Sequence, residues 1–328
     1  MVNEAWRPRF SDGLYRHFPT AFVDQPTNKE IDRAFADMDG VPDVEGVEFF
    51  SDTTVTLDNA AHIRRRLDER GLVCANIYPA EPSVRGTFAD ALFTTHDVAK
   101  RRKAIELSLR AVDIARALGG KRVYLFTALD GGDYPFQQDF RSVRQYTIEA
   151  LQEICGRAGD FEIALECRSH TPKGWTNIGS IAASLDLITE TACPNLGVQL
   201  EVAHTLIAGE NVGQMAWETG RRGLLYHVHL NDTKLPIDVG AGFGSHHFWE
   251  CLELLYWLRE VNYRNFLGID SFWFREDARE NAAQLVRNVQ FMVRVLDSLD
   301  RTVMADALAR SDINKSQELL WSALRASS

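Results

Sequence analysis

Four apolar runs in the second half of the chain each close on a side chain that can bind a metal ion: FEIALE on Glu166, LGVQLE on Glu201, LLYHVH on His229 and FLGID on Asp270. The closing residues lie 35, 28 and 41 positions apart, room for one strand and one helix each time. When such units wind into a closed barrel of parallel strands, the strand ends gather on one rim and face one cavity. A single carboxylate at a strand end is ordinarily a helix cap or half of a surface ion pair. Four ligand-type side chains converging on one cavity are different, because clustered carboxylates repel unless a cation neutralises them. Oxygen and nitrogen donors in this mixture suit a hard or borderline divalent cation.

The rest of the chain supports closure. Strand-like stretches around Gly13 to His17, Val44 to Phe50, Leu72 to Ile77 and Arg122 to Phe126 precede Phe161 to Glu166, Leu196 to Glu201, Leu224 to His229 and Phe266 to Asp270. Helical stretches alternate with them near Asn59 to Glu69, Asp139 to Arg157, Asn177 to Thr191, Val212 to Arg222, Ser245 to Glu260 and Asp277 to Ser298. The clearest begins after the N-cap Asp97, carries Ile105, Leu109 and Val112 on one face and stops at Gly119-Gly120. Eight alternations predict an α/β chain folded as a (β/α)8 TIM barrel. An open dinucleotide-binding sheet is disfavoured, since no GxGxxG follows the first strand. The barrel is expected over residues 1–298, with 299–328 as a C-terminal helical arm. Leu319, Leu320, Trp321 and Leu324 of that arm need cover from the barrel or, the preferred expectation, from a second subunit.

Composition narrows the partners. With 46 acids against 36 bases and a net charge of -10, nucleic acid and anionic membranes are poor partners, and a neutral small molecule fits better. MVNEAWRPRF does not resemble a signal peptide and no apolar run approaches the roughly 20 residues that span a bilayer, so a cytoplasmic location is expected. Five scattered cysteines, Cys74, Cys155, Cys167, Cys193 and Cys251, contain no CxxC pair and read as buried thiols. GAGFG at 240–244 lacks a Walker lysine and reads as a tight turn, with His246 and His247 on the helix after it; without a GxSxG elbow, serine hydrolase chemistry has no support.

Beyond the four strand ends, His204 stands three residues after Glu201, placed to reach a second metal or a sugar hydroxyl. His227 and His229 share one strand face, with His229 nearer the rim as the better ligand and His227 supporting it from below. Asp232 and Asp238 follow on the loop, as turn residues or as ligands of a second cation.

LGVQLEVAHTLIAGENV followed by YHVHLND resembles the xylose isomerase-like barrel superfamily of aldose-ketose isomerases, ketose 3-epimerases and related sugar enzymes. The resemblance runs from about Gly13 to Ser298 and is strongest from Ala164 to Asp270. It implies a four-residue metal set on Glu166, Glu201, His229 and Asp270 and a substrate-facing histidine at His204. Three departures stand out. GVEFFSD offers Phe50 where xylose isomerases carry a ring-opening histidine, ECRSH has Arg168 in place of a lysine, and Asp270 replaces a glutamate. Arginine does not readily lose its proton, so it clamps oxygen atoms rather than relaying protons.

The resemblance implies a divalent-metal enzyme, using Mn2+ or Mg2+, that acidifies the carbon beside the carbonyl of a sugar or keto-sugar through a metal-stabilised enediolate. Glu166 or Asp270 would take and return the proton, His204 and Arg168 would hold substrate oxygens, and Tyr15, His17, Phe126 and Trp273 would wall the sugar. Epimerisation or isomerisation is the main expectation. A lyase that cleaves 3-keto-C-glycosides by β-elimination, as in C-glycoside deglycosidase catalytic subunits, is the alternative. It would pair with a small second subunit, where an epimerase would be a homo-oligomer. An inactive sugar-binding barrel is the non-enzymatic alternative, and an endonuclease of the superfamily is disfavoured by the acidic balance.

Overall fold

The computed structural model describes residues 6–19, 25–79, 87–88, 91–171, 174–272 and 275–327. Eight parallel strands lie in chain order around a barrel: β1 (Arg9–Gly13), β2 (Val44–Phe50), β3 (Val73–Tyr78), β4 (Arg122–Phe126), β5 (Glu162–Glu166), β6 (Leu196–Glu201), β7 (Leu225–Leu230) and β8 (Phe266–Ile269). Hydrogen-bonded pairing runs unbroken from β3 through β2, β1, β8, β7, β6 and β5 to β4. At the seam the rings of Tyr78 on β3 and Tyr124 on β4 stack at 4.9 Å.

The ring of helices is α1 (Asn28–Met38), α2 (Ala60–Arg70), α3 (Val98–Ala117), α4 (Phe140–Ala158), α5 (Ile181–Thr191), α6 (Val212–Gly220), α7 (Phe248–Glu260) and α8 (Ala278–Asp297). Their starts are set by side chains that take up unpaired N–H groups of the first turn: a Thr27/Glu30 capping box on α1, Asp97 on α3, Asp139 on α4, Ser180 on α5, Asn211 on α6 and Asp277 on α8. Apolar faces such as Ile31, Phe35, Ile63, Leu67 and Val112 are buried against the strands. The arm is a helical pair, α9 (Arg301–Ala309) and α10 (Ile313–Ser327). It lies on its own barrel, where Met304, Ala307 and Ala323 are buried and Trp321 meets Trp249 of α7 edge to face at 5.2 Å.

Three of the expected elements differ from the structure by more than two residues. The first strand is Arg9–Gly13 rather than the expected Gly13 to His17; residues Leu14–His17 coil into a 3-10 turn that brings Arg16 Nε to 3.1 Å from Asp12 Oδ1. The fifth helix starts at Ile181, not Asn177, because the Asn177 N–H is drawn to the Asp130 carbonyl and Ser180 supplies the cap. The seventh helix starts at Phe248 rather than Ser245, since the N–H groups of His246 and His247 are taken by Asp232 Oδ2.

Candidate metal centre

Register places the four strand-end residues together. Glu201 on β6 pairs with His229 on β7, and Gly268, two residues before Asp270, pairs with His229 from the other side. Three carboxylate oxygens surround His229 Nδ1: Glu166 Oε2 at 3.6 Å, Glu201 Oε2 at 3.5 Å and Asp270 Oδ2 at 3.6 Å. Two groups have all their ligand atoms within 4.8 Å of one another: Glu201, His229 and Asp270 at the strand ends, and Glu48, His227 and His229 just below.

Each carboxylate is tethered by a neighbour. The Asn231 side-chain amide donates to Glu201 Oε1, and the Ala203 N–H on Asn231 Oδ1 fixes which way that amide points. The Tyr15 hydroxyl lies 3.3 Å from Asp270 Oδ1. Glu166 receives the Gln199 amide on Oε2 and has His204 Nδ1 3.3 Å from Oε1. Glu201 Oε2 itself is buried with no hydrogen-bond donor among the described residues.

Such crowding moves the protonation equilibria. Burial and the neighbouring Asp270 carboxylate push Glu201 well above the usual carboxylate range. Burial raises Asp270 to about 6, against the pull of His229. Burial also acts on Glu166, but His204 and His229 outweigh it and hold its carboxyl below the ordinary value. His229 is held well above an ordinary imidazole, because Glu48, Asp270 and Glu166 overcome the effect of burial. His204 is raised to about 10, where Asp238 and Glu166 overcome burial in the same way.

A divalent cation fits this donor set. Ligand atoms about 2.1 Å from one ion stand about 3.0 Å apart in octahedral and about 3.4 Å apart in tetrahedral coordination, close to the spacing around His229 Nδ1. The partnerless Glu201 oxygen and the raised Glu201 and Asp270 carboxyls are what a cation would satisfy.

Residues 40–294 match the xylose isomerase-like TIM barrel family. The chain belongs to that family. It is 26% identical over 234 residues to the xylose isomerase of Thermus thermophilus, covering 68% of this chain and 59% of the relative's length. An L-ribulose 3-epimerase structure superposes with a TM-score of 0.70 at 17% identity, covering 88% of this chain and 95% of that one. A D-allulose 3-epimerase from Methylomonas sp. gives 0.67 at 18% identity, with 87% and 96% covered. A 3-keto-D-glucoside 4-epimerase from E. coli gives 0.64 at 18% identity, with 86% and 100% covered. At these identities the structural likenesses speak for the fold.

Within this member of the xylose isomerase-like family the other expected site residues part company. Tyr15 stacks on Phe50 at 4.0 Å beside Asp270, and Phe126 stacks on His204 at 5.6 Å. Asp238 bridges His204 Nε2 and Arg168 at 3.3 and 3.4 Å, and the Arg168 Nε–H donates to the His170 carbonyl. His17 does not join the wall: its ring nitrogens are each 2.8 Å from Asp12 and from Asp37 on the outer helix α1, which turns the ring out of the barrel. Asp232 is no free ligand either. Its Oδ1 meets the Thr233 N–H and His247 Nδ1, and its Oδ2 takes two backbone N–H groups, so it anchors the loop before α7. His247 is thereby drawn to Asp232 rather than placed on the helix. Trp273 lies outside the described residues.

Several residues were missed by the sequence reading. Asn231 and Gln199 hold the carboxylates, and Glu48 on β2 reaches across to both histidines of β7: its Oε1 is 3.0 Å from His227 Nε2 and its Oε2 2.9 Å from His229 Nε2. Burial opposes Glu48 ionisation, but the two imidazoles hold its carboxyl well below the usual range. Burial lowers His227 to about 4, so its ring is neutral at pH 7. A signal was present: Gln199, His227 and Gly268 stand two residues before Glu201, His229 and Asp270, on the same inward face.

Proposed function

We propose that this chain is a divalent-metal-dependent sugar epimerase or isomerase that moves a proton on the carbon beside a keto-sugar's carbonyl. The observation that carries it is the set of three buried carboxylates around His229 Nδ1 at the ends of β5 to β8. The similar proteins are a xylose isomerase and epimerases of ribulose, allulose and a 3-keto-glucoside. Glu166, Glu201, His229 and Asp270 would hold Mn2+ or Mg2+, which when bound supplies Lewis-acid polarisation of the sugar's carbonyl and adjacent hydroxyl oxygens.

The chain's own residues handle the proton. Asp270 is the more accessible base, its side chain 15% exposed against 1% for Glu201. It would take the C–H proton, while Glu166, backed by His204, returns one. Delivery to the opposite face of the same carbon gives the epimer, and delivery to the neighbouring carbon gives the isomer. Glu201, the least exposed of the three, is left to bind the ion. Arg168, pinned by Asp238, presents N–H groups to substrate oxygens and relays no proton.

A second reading uses the same proton. If the substrate is a keto-glycoside, like that named for one similar structure, a 3-keto-D-glucoside 4-epimerase, loss of that proton with a leaving group on the β carbon gives elimination. Both readings meet one experiment: ketopentoses, ketohexoses and 3-keto-glycosides incubated with the protein in D2O, with Mn2+ or with EDTA, and followed by NMR. Epimerisation is expected to put deuterium beside the carbonyl, in a reaction lost with EDTA and with Asp270→Asn. Release of the aglycone identifies the lyase. Turnover indifferent to chelation, or product free of deuterium, overturns the proposed chemistry, and sugar binding without exchange leaves an inactive barrel.

A further inference from the structure

TIM-barrel interiors are ordinarily packed with layers of branched apolar side chains. Directly beneath the metal centre this one carries instead a polar layer of Ser11, Glu48, Asn76, Gln199 and His227, all at most 3% exposed. Buried polar groups persist only when their partners are supplied, and here the hydrogen bonds run in one direction.

From one side, the Ile77 N–H donates to Asn76 Oδ1, which leaves the Asn76 amide N–H to donate to Gln199 Oε1 at 2.6 Å. The Gln199 N–H2 is therefore the end that faces Glu166 Oε2 and, at 3.2 Å, His229 Nδ1. From the other side, Ser11 Oγ donates to Glu48 Oε1 at 2.7 Å, and the two carboxylate oxygens meet the Nε2 atoms of His227 and His229. In this arrangement Nε2 is the nitrogen held by Glu48, which leaves Nδ1 as the nitrogen that can offer a lone pair to a cation. Room for the carboxylate comes from β8: a Cβ on Gly268 would stand 2.3 Å from Glu48 Oε1, 2.7 Å from His227 Nε2 and 2.8 Å from His229 Cδ2.

We infer that Glu48 is a positioning residue of the metal centre: by accepting the Nε2–H of His229 it fixes the ring's tautomer and rotation, so that Nδ1 is the nitrogen offered among the three carboxylates. This rests on the metal reading above. A half-turn of the ring would exchange Nδ1 for Cδ2 and remove the ligand atom, and it would also break the 2.9 Å contact of Nε2 with Glu48, which is shorter than the 3.2 Å approach of Gln199 to Nδ1. Carboxylate partners behind metal-bound histidines ordinarily strengthen binding about 10- to 100-fold. An amide cannot replace Glu48, since it offers one acceptor where two imidazole N–H donors arrive.

The test is Mn2+ titration of the full chain by calorimetry, wild type against Glu48→Gln and, separately, Gly268→Ala, whose added methyl pushes on the same contact. Each variant is expected to bind one Mn2+ per chain with affinity reduced about 10- to 100-fold. Wild-type affinity in folded Glu48→Gln overturns the inference. Should the variants fail to fold, nitrogen-resolved imidazole NMR of the Mg2+-loaded wild type decides: His229 protonated at Nε2 and bare at Nδ1 supports the assignment, and the reverse overturns it. Two Mn2+ per wild-type chain, one of them seated between Glu48, His227 and His229, would also overturn it, because Glu48 would then be a ligand. No Mn2+ binding by the wild type fails the metal reading itself, whereas equal binding by wild type and Glu48→Gln fails only the role of Glu48.

Discussion

At the scale of single residues, Glu201 and Asp130 show opposite uses of a buried carboxylate. Glu201 has one oxygen on Asn231 and the other aimed at His229 Nδ1 without a donor. Glu201→Gln should therefore do two things at once. Mn2+ affinity should fall at least about 100-fold, since a ligand is lost rather than a supporting group, while the chelated protein should melt at a higher temperature than chelated wild type, because a like charge leaves the cluster. Calorimetry with and without EDTA reads both, and a chelated variant that melts lower would refute the repulsion argument. Asp130 is a structural acid at the barrel mouth, where a single oxygen accepts the Leu92 and Thr94 N–H groups at 3.0 Å and the Thr94 hydroxyl at 2.8 Å. Burial lifts its carboxyl from 3.8 to about 6 despite those donors. A raised acid binds its proton more tightly in the folded state, so its contribution to stability is present at low pH and is lost as pH rises through about 6. Asp130→Asn keeps the accepting oxygen and removes the charge. Relative to wild type it should gain on the order of 2–3 kcal/mol between pH 4 and pH 8, measured as the difference between two denaturation series. A difference that does not change with pH would show that the carboxyl titrates normally.

At the scale of elements, β1 is joined to the site by one steric constraint. The backbone of Gly13 is ordinary, with φ -77, yet a Cβ there would stand 2.3 Å from Tyr15 Cε1 and 2.9 Å from its hydroxyl. Gly13→Ala is thus expected to push Tyr15 off both Phe50 and Asp270, at a cost of about 1–3 kcal/mol for the overpacked ring. In a Tyr15→Ala background the same substitution should be nearly neutral, and a double-mutant cycle by thermal melting checks the difference. This turn was hidden in the sequence: DGLYRHF reads as a strand by its apolar spacing, whereas Arg16 bends the chain back toward Asp12. By contrast β5 to β8 were legible to within two residues, because each apolar run ends on its ligand. Glu48 was hidden for a different reason. In VEGVEFF the two acids stand three residues apart, so the pattern singles out neither face, but a barrel strand is covered on both faces, and its inward acid must find partners inside. Asp232 misled in the other direction. An acid two residues past a strand resembles a ligand until the backbone N–H groups that fill it are seen, and those come from the loop ahead of α7, 14 and 15 residues away.

At the scale of the molecule, site and stability are placed on separate parts of the fold. The strand ends of β5 to β8 carry the proposed ligands, while α9 and α10 lie against the outside of α7 and α8 and bury Met304, Ala307 and Ala323. Among the described residues, no helix is long and apolar enough to cross a membrane, and the arm buries Met304, Ala307 and Ala323 on its own barrel while Leu308, Ile313 and Trp321 stay exposed. A groove of about 570 Å³ remains between arm and barrel, lined in part by Trp249, Tyr256, Trp257, Met304 and Leu320, so the docking is real but incomplete. Burying a Met or Leu side chain is worth about 1.5–3 kcal/mol, and the arm contributes only a few such residues. Deleting residues 300–328 should therefore cost several kcal/mol, a fall in melting temperature of roughly 10 °C for a chain of this size. Mn2+ affinity at 25 °C should stay within about 3-fold of wild type, since no arm residue touches a ligand or its tethers, and distant sites act independently. Melting curves and Mn2+ titrations of the truncated chain measure the two separately. Loss of Mn2+ binding in a truncated chain that is still folded would mean that the arm supports the barrel mouth through α7, and that ligand geometry depends on the outer helices as well as on the strands.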